Sequence, residues 1–430
     1  MESTQETIHQ NDIYKTSRFL YILEAAFEYF ISLLLTGAYI AKVTTEIGMN
    51  DSLTGIVTSF VSLGCGFQFI AIFLSHKKPV KRWVSLLHSL NQLFFALVYF
   101  VPFFKTSTEA KTALFIVFLL VGYFIDNIVK SPKINWFMSL VDDKKRGSFT
   151  ATKEIVSLIG GMIFSFIVST AIDAFEAAGN LHGAFLFCGI GILVLMAAHT
   201  CTMIFSKEKP AKKTEKESLK EVIKGLVKEK NLFKVVFLFV LWDIAYYATT
   251  PFYGTYQIKE LGFSMTYVSV LAALYAIIRA IFSKPLGRYA DKHSFSKTLI
   301  ICFSIQTAAF FINIFTTPAN GYVFYTAYYI LSAIAMGGIS SSTINLIYDN
   351  VSIKNRTGAL ALKNTLAGCM GFLSTLAMGP LVEYIQTNGN TFLGIPVYAQ
   401  QVLSAFGCLV MVGMLLYLIL VVDKLKKNEE

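Results

Sequence analysis

Twelve apolar segments, each long enough to cross a lipid bilayer as a helix, make up most of the sequence. A hydrocarbon core roughly 30 Å thick is crossed by about 20 helical residues. Only 15% of the residues are charged, too few to cover the surface of a water-soluble protein. We therefore predict an all-α membrane protein with twelve transmembrane helices. The predicted spans are Phe19–Thr44, Leu53–Leu74, Trp83–Phe104, Thr112–Val141, Ile155–Ile172, Ala184–Phe205, Leu232–Tyr253, Tyr267–Phe282, Thr298–Phe315, Val323–Ile347, Ala359–Ile385 and Val402–Val422.

The basic residues alternate from one connection to the next. The even-numbered connections and both ends of the chain are rich in lysine and arginine, whereas the odd-numbered connections hold few. Because basic loops remain on the cytoplasmic side, this bias predicts cytoplasmic termini in a multi-pass protein of the plasma (inner) membrane. The same bias accounts for the net charge of +10 without a nucleic-acid partner. We expect the lipid bilayer and a small molecule as partners, and a monomer.

One long polar connection, residues 206–231, separates two six-helix halves, residues 1–205 and 232–430. Its second part has apolar side chains at helical spacing and lysines on the opposite face. This pattern predicts an amphipathic helix on the cytoplasmic membrane surface, or equally a helix packed against the protein's own loops. The apolar residues are Leu219, Val222, Ile223, Leu226 and Val227.

The two halves resemble each other in sequence. A shift of 210 positions aligns the connection after the fourth span with the connection after the tenth. Because the shift covers six helices, the halves are predicted to be parallel repeats. The aligned pairs include Ser131 with Ser341, Asn135 with Asn345, Arg146 with Arg356, Lys153 with Lys363, and Gly161 with Gly371.

A short motif lies between the eighth and ninth spans, with the sequence Gly-Arg-Tyr-Ala-Asp-Lys over residues 287–292. It resembles the signature loop of the major facilitator superfamily, a glycine followed four residues later by an aspartate and a basic residue. We expect Gly287 to let two helices approach closely, and Asp291 to pair with a cation or a helix N-terminus in one gating state. The other expected gating residues are Arg288, Lys292, Arg146 and Arg356.

A second segment, SPKINWFMSLVDDKKRG over residues 131–147, is similar to a string found in a poorly characterised, bacterial-type branch of the same superfamily. The resemblance implies two parallel six-helix bundles and a transport function. It does not identify the solute. The fifth span has Gly160 and Gly161 but lacks the proline of the superfamily's antiporter signature, which weakens an exchanger interpretation.

Two glutamates occur one helical turn apart in the first span. Glu24 and Glu28 lie on one face, and two carboxylates in a low dielectric do not both ionise readily. We hypothesise that Glu28 exchanges protons and that Glu24 tunes it; the alternative is a structural ion pair of Glu24. Asp126 in the fourth span is a third proton-coupling candidate. Lys130 and Lys133 are expected to extend towards the cytoplasm.

Further polar and aromatic residues inside the spans are candidates for a substrate cavity. Asp243 and Arg279 either pair with each other or bind opposite charges on a substrate, and a permanent structural pair is the alternative for Arg279. The side chains as a set suit a polar or aromatic organic solute. The candidates are Gln68, Asn91, Asn127, Asp243, Tyr246, Tyr247, Tyr275, Arg279 and Tyr328.

These patterns predict a secondary active transporter that moves a small organic solute by alternating access, with proton symport as the mechanism. A facilitator, a drug or metabolite efflux antiporter, and a non-transporting membrane sensor are the alternatives. No phosphate-binding Gly-x4-Gly-Lys-Ser/Thr motif occurs, which argues against direct use of ATP. The sequence predicts no catalytic residues, metal site or cofactor, because its histidines and cysteines lack ligand spacing.

Overall fold

The computed structural model describes residues 13–65, 79–142, 145–209, 219–352 and 355–425. Nearly all of the described residues are helical. The α-helices of six or more residues are α1 (Lys15–Leu34), α2 (Gly37–Glu46), α3 (Asp51–Thr58), α4 (Phe60–Cys65), α5 (Lys81–Phe100), α6 (Thr108–Ser139), α7 (Arg146–Ala177), α8 (Leu181–Phe205), α9 (Leu219–Lys228), α10 (Leu232–Tyr247), α11 (Met265–Lys292), α12 (Phe295–Ile314), α13 (Gly321–Tyr348), α14 (Arg356–Thr387) and α15 (Ala399–Tyr417). A small antiparallel hairpin, Thr391–Phe392 with Ile395–Pro396, connects α14 and α15.

Ten spans in the described residues are long and apolar enough to cross a membrane. The bent pair α1 and α2 makes an eleventh, with an angle of 48° between the two helices. Gly37 begins α2 with a φ of +52°, a conformation that favours glycine. The short helices α3 and α4 occupy the place of the predicted second span, whose remaining residues lie outside the described part. The twelve-helix layout predicted from the sequence therefore fits.

Two compact units are formed by the chain, residues 1–49 with 67–214 and residues 50–66 with 215–430. Within the first unit, α1 packs on α7 and α8, and α5 packs on α6 and α8. Within the second unit, α10 packs on α14 and α15, and α12 packs on α13 and α15. Counted by predicted span, these are the same four helix pairs in each half. The two parallel six-helix repeats are therefore confirmed.

The repeat extends to side-chain packing. The helices α7 and α14 begin at the aligned residues Arg146 and Arg356, and each contains 32 residues. A Cβ atom added at Gly161 would lie 2.4 Å from Tyr29 Cε1, and one added at Gly371 would lie 2.7 Å from Tyr247 Cδ2. When the spans are counted within each half, a glycine of the fifth span therefore lets a tyrosine of the first span pack closely in both halves.

The polar connection contains the predicted amphipathic helix as α9. Leu226 is buried, and Gly225 lies so close to Asn355 that an added Cβ would meet its Oδ1 at 2.7 Å. Ile223 and Val227 are 49% and 65% exposed. The side chains of residues 219–222 lie outside the described part. One edge of α9 thus packs on the protein, whereas contact of the exposed edge with a membrane surface remains a prediction.

Candidate functional site

Four helices of the first unit bring five ionisable side chains together in what we term the charge cluster. α1 supplies Glu24 and Glu28, α5 supplies His88, α6 supplies Lys133, and α8 supplies His199. Four of the five side chains are at most 3% exposed, whereas that of Glu28 is 30% exposed. A buried charge is tolerated only with partners, so the pairing inside this cluster decides its chemistry.

Lys133 lies between the two glutamates. Its Nζ is 2.8 Å from Glu24 Oε1 and donates a hydrogen bond to Glu28 Oε2. The same Nζ lies 3.0 Å from His88 Nε2. The expectation that Lys133 extends towards the cytoplasm is wrong, because two carboxylates one turn apart on α1 hold its ammonium inside the span.

His199 completes the cluster from the opposite side of Glu24. Its Nε2 lies 2.9 Å from Glu24 Oε1, so that one carboxylate oxygen interacts with both a lysine and a histidine. The rings of His88 and His199 meet edge to face, with centroids 4.5 Å apart. A hydrogen-bonded row of titratable groups therefore links α8, α1 and α6 inside the first unit.

Asp126, the third predicted coupling residue, lies beside the same cluster. One ligand atom each of Glu28, His88 and Asp126 falls within 4.8 Å of the others. The structure thus brings together the three carboxyl groups chosen from the sequence as proton-coupling candidates. Their role in coupling remains a prediction.

The neutral cavity candidates Asn91 and Asn127 of the first unit donate hydrogen bonds to backbone carbonyls of α6. Asn91 is buried and donates to the carbonyl of Gly122 at 2.8 Å, and Asn127 donates to the carbonyl of Tyr123 at 2.9 Å. Both amides thus have structural hydrogen bonds of the kind that link membrane helices or brace a single one. Gln68 lies outside the described residues.

The cluster also has the chemistry of a metal site, since ligand atoms of Glu24, His88 and His199 lie within 4.8 Å of one another. Glutamate and histidine are common zinc ligands. However, the Lys133 ammonium already lies between Glu24 and His88, and a metal ion would have to displace that cation. We assign the position to Lys133.

The second unit contains a group of tyrosines around Gln257, and two of the predicted cavity residues, Tyr275 and Tyr328, belong to it. The Gln257 amide donates to the hydroxyls of Tyr325 and Tyr329 at 3.0 and 2.9 Å. Tyr328 packs edge to face on Tyr329, with centroids 5.7 Å apart, and Tyr275 packs on Tyr329 at 6.1 Å. We call this group the tyrosine cluster. Tyr325 and Tyr328 of this cluster are buried, whereas Tyr275 and Tyr329 are half-buried.

Asp243 and Arg279 do not form an ion pair in the described part of the chain. Arg279 is exposed and donates to Ser340 Oγ at 3.1 Å. Asp243 interacts electrostatically with Lys363 of α14. The Lys363 Nζ also lies 5.5 Å from the ring centre of Phe239. Beside these groups, Tyr246 and Tyr247 pack edge to face at 5.4 Å. Of the two possibilities left open for Asp243 and Arg279, the structure does not support direct pairing.

Comparisons with known proteins agree with this architecture. The family model described as Major Facilitator Superfamily matches residues 19–375. The chain belongs to the major facilitator superfamily. No match was found among curated protein sequences. Membership makes this protein a membrane transporter and not an enzyme.

Solved structures similar to this superfamily member include three transporters. The nucleoside transporter NupG has a TM-score of 0.69 at 15% identity, covering 96% of this chain and 99% of NupG. An auto-inhibited peptide transporter of the POT family has a TM-score of 0.68 at 11% identity, with 98% of each chain covered. The D-xylose–proton symporter has a TM-score of 0.66 at 14% identity, covering 93% of this chain and 97% of the symporter. These likenesses show the fold.

The signature motif of this transporter, residues 287–292, is helical, because α11 continues to Lys292. Among the described residues, an added Cβ at Gly287 would meet nothing within 4 Å, so the expected close helix approach is not seen there. Asp291 is exposed and forms no ion pair with another described residue. Arg288 and Lys292 are also exposed. Their predicted role in gating remains a prediction.

The equivalent arginines begin the fifth span of each half. Arg146 is the first residue of α7, and Arg356 is the first residue of α14. The Arg356 guanidinium lies 5.0 Å from the ring centre of Tyr348, a cation–π contact. This contact joins the end of α13 to the start of α14.

Sequence reasoning overlooked His88, His199 and Lys133 as members of the site. A signal for them existed, since each lies well inside a predicted span, where an ionisable residue has a functional or structural reason. Spacing along one helix could not reveal them, because their partners are on other helices. Only Glu24 and Glu28, which share α1, are neighbours in the sequence pattern.

Proposed function

We propose that this transporter is a proton-coupled symporter of a small organic solute, working by alternating access. The observation that carries the proposal is that one buried lysine, Lys133, serves two glutamates. Beside the Asp126 carboxyl, the two glutamates place two negative charges against the single ammonium of Lys133 in a region of low dielectric. A single added proton balances them, so the charge cluster is a natural proton-binding site.

Glu28 is our assignment for the group that exchanges this proton. Its side chain is 30% exposed, whereas that of Glu24 is fully buried and held by His199 as well as Lys133. A proton reaches the accessible carboxyl more readily. This supports the division of roles in which Glu28 exchanges protons and Glu24 tunes it.

Protonation of Glu28 would also alter the attraction between helices. The ion pair of Glu28 with Lys133 joins α1 to α6, and a neutral Glu28 attracts the ammonium less strongly. The equilibrium between two arrangements of these helices would then depend on the proton. A solute that binds one arrangement better would be coupled to proton movement.

The solute class is proposed from the second unit. The half-buried residues Tyr246, Tyr247 and Tyr275 offer ring faces, and Asp243 and Arg279 offer opposite charges near them. A polar or aromatic organic molecule suits this surface. Nucleosides, pentoses and short peptides are the first solutes to test, since similar folds are described as transporters of these compounds.

The Glu28→Gln substitution tests the coupling. In proteoliposomes with an inwardly directed proton gradient, we expect the wild type to concentrate its solute and the variant only to equilibrate it. Counterflow without a gradient should persist in the variant, because solute binding does not require the proton-exchanging group. Uptake and counterflow of the radiolabelled solute are the measurements.

Glu176→Gln is the matched control. Glu176 also forms an ion pair with a lysine, Lys42, but lies at the exposed end of the first unit, where its side chain is 47% exposed. We expect this variant to concentrate solute like the wild type. A Glu28→Gln protein that still concentrates solute, with unchanged dependence on external pH, would exclude Glu28 as the coupling group.

A further inference from the structure

In the first unit, α1 and α7 meet at two places that are eight residues apart on both helices. The Lys153 ammonium of α7 lies 5.2 Å from the ring centre of Tyr21 on α1, a cation–π contact. Eight residues further along each helix, Gly161 packs closely on Tyr29. Because the steps are equal, the two helices run in the same direction and in one register.

The second unit repeats both contacts between α10 and α14. The Lys363 ammonium lies 5.5 Å from the ring centre of Phe239. Eight residues further along each helix, Gly371 packs closely on Tyr247. The positions that lie between the two contacts can therefore be compared from one unit to the other.

Halfway between the contacts, the two units differ in which helix carries the polar group. The second unit has Asp243 on α10 and Ala367 on α14, whereas the first unit has Ala25 on α1 and Ser157 on α7. Residues four apart share a helix face, so these positions lie on the faces that make the contacts. Asp243 interacts electrostatically with Lys363. The second unit thus supplies a carboxylate for its lysine, and the first unit has an alanine in its place.

The first unit is left with two donors on one face of α7. Lys153 lies within the membrane-length segment Ser148–Ala177 and forms no ion pair with another described residue. The Ser157 side chain is only 9% exposed, and its hydroxyl forms no hydrogen bond within the described part of the chain. A cation inside a span and a buried hydroxyl group both normally have partners. The pair therefore suits an anionic acceptor that comes from outside the chain.

We propose that Lys153 and Ser157 bind a carboxylate group of the transported solute. This inference rests on the proposed function and deepens it, because it names a charged group that the solute carries. The second unit provides the precedent, since its equivalent lysine interacts with a carboxylate next to an aromatic ring. In the first unit, the ammonium supplies the charge and the hydroxyl supplies a second hydrogen bond. Ala25 lacks the carboxyl group of Asp243, so its place suits a carboxyl group from the solute.

The first test measures how fast Lys153 is acetylated by N-hydroxysulfosuccinimide acetate in the purified full-length protein. Lys153 is half-buried, so the reagent can reach it, and peptide mass spectrometry gives the rate. Benzoate is the probe, and benzamide is its neutral counterpart at the same ionic strength. We expect benzoate to slow the acetylation of Lys153 in a saturable manner and benzamide to leave it unchanged. Equal rates with the two compounds would overturn the subsite.

Lys363 is the internal control of this test, because it already has a carboxylate from the chain. Its acetylation should not respond to benzoate. If benzoate slowed Lys363 and Lys153 equally, the assignment to the first unit would be wrong.

The Ala25→Asp substitution gives the first unit the carboxylate of the second. We expect benzoate no longer to protect Lys153 in this variant, because the chain's own carboxylate then interacts with the ammonium. Ser32→Asp is the matched control, since it adds the same charge at an exposed position of α1 and should leave the protection unchanged. Protection that survived Ala25→Asp, or that Ser32→Asp abolished to the same extent, would overturn the position of the subsite.

The Lys153→Gln substitution provides a readout that does not depend on acetylation. Benzoate should raise the thermal unfolding temperature of the wild type, and the variant should need roughly tenfold more benzoate for half of the effect. Lys42→Gln is the control, because Lys42 belongs to the same unit but pairs with Glu176. Its benzoate response should equal that of the wild type, and an equal response in Lys153→Gln would contradict the proposal.

Inorganic phosphate at the same ionic strength distinguishes a carboxylate from other oxyanions. Stabilisation by phosphate but not by benzoate would overturn the carboxylate assignment. All of these measurements are made without a proton gradient, so their result does not depend on whether Glu28 couples protons to transport. The proposed symport and the carboxylate subsite can therefore fail separately.

Discussion

Lys133 is the residue on which the electrostatics of the first unit depend, because its single ammonium is shared by Glu24, Glu28 and His88. The side chain is only 3% exposed. Removal of one member of a buried ion pair leaves the other charge without compensation, which costs more than the pair itself contributes. The cluster should therefore be more sensitive to loss of the lysine than to loss of either glutamate.

The Lys133→Met substitution should lower the free energy of unfolding by about 3–5 kcal/mol at neutral pH. The deficit should shrink as the pH falls, because protonation of the glutamates removes the uncompensated charge. Thermal unfolding of the purified protein across a pH series measures both effects. Lys130→Met, on the exposed face of the same helix, is the control and should change stability little. A deficit independent of pH would contradict the electrostatic explanation.

Restoring charge balance provides a second check of the same residue. A Lys133→Met/Glu24→Gln/Glu28→Gln variant has no uncompensated glutamate in the charge cluster. We expect it to recover most of the stability lost by the lysine substitution alone, since a neutral buried group has a smaller desolvation cost. No recovery would mean that packing of the lysine stem, and not charge, dominates.

Among the secondary-structure elements, several helices extend well beyond the apolar segments that predicted them. α7 begins at Arg146 whereas the predicted span begins at Ile155, and α11 ends at Lys292 whereas the predicted span ends at Phe282. Hydropathy locates the part of a helix inside the hydrocarbon core, but backbone hydrogen bonding continues into the polar ends. The existence of these helices was predictable, and their boundaries were not.

α9 is attached to the start of α14 through Glu229. Burial of the Glu229 carboxyl opposes its ionisation, but hydrogen bonds from Ser352 and Asn355 outweigh burial and lower the pKa of Glu229 below the ordinary glutamate value. A carboxyl whose pKa is lowered by folding stabilises the folded state at pH above its unfolded pKa of roughly 4.3. That contribution is lost as the pH falls through the lowered value.

The Glu229→Gln substitution should therefore destabilise the protein at neutral pH and have progressively less effect in acid. The expected loss at neutral pH is about 1–3 kcal/mol, typical of hydrogen bonds to a charged group. Thermal unfolding at several pH values provides the measurement. Glu176→Gln, which removes an exposed carboxylate, should cause a smaller change. An effect that grew in acid would have the wrong sign for this mechanism.

For the whole molecule, the paired repeats require an even number of spans and therefore termini on one side of the membrane. The alternation of basic connections predicts that this side is the cytoplasm. Fusion of a reporter that is active only in the cytoplasm to each end tests this, and both fusions should be active. Fusions at residues 105–107 and 388–390, in odd-numbered connections, serve as controls and should be inactive. Termini on opposite sides would contradict the twelve-helix arrangement.

The sequence by itself determined that the protein lies in a lipid bilayer, how many spans it has, and that the fold consists of two repeats. These properties depend on segment length, composition and period, which are local and repeat along the chain. It also indicated that Glu24 and Glu28 share a face, because both lie on one helix.

Only the tertiary structure decided which groups these glutamates meet. Lys133, His88 and His199 come from three other helices, and their contacts depend on how each helix is rotated about its axis. That rotation is set by packing between segments far apart in sequence, such as Gly161 against Tyr29. Hydropathy does not reveal this rotation. A buried lysine that pairs with a carboxylate and a lysine that extends towards water look the same in the sequence.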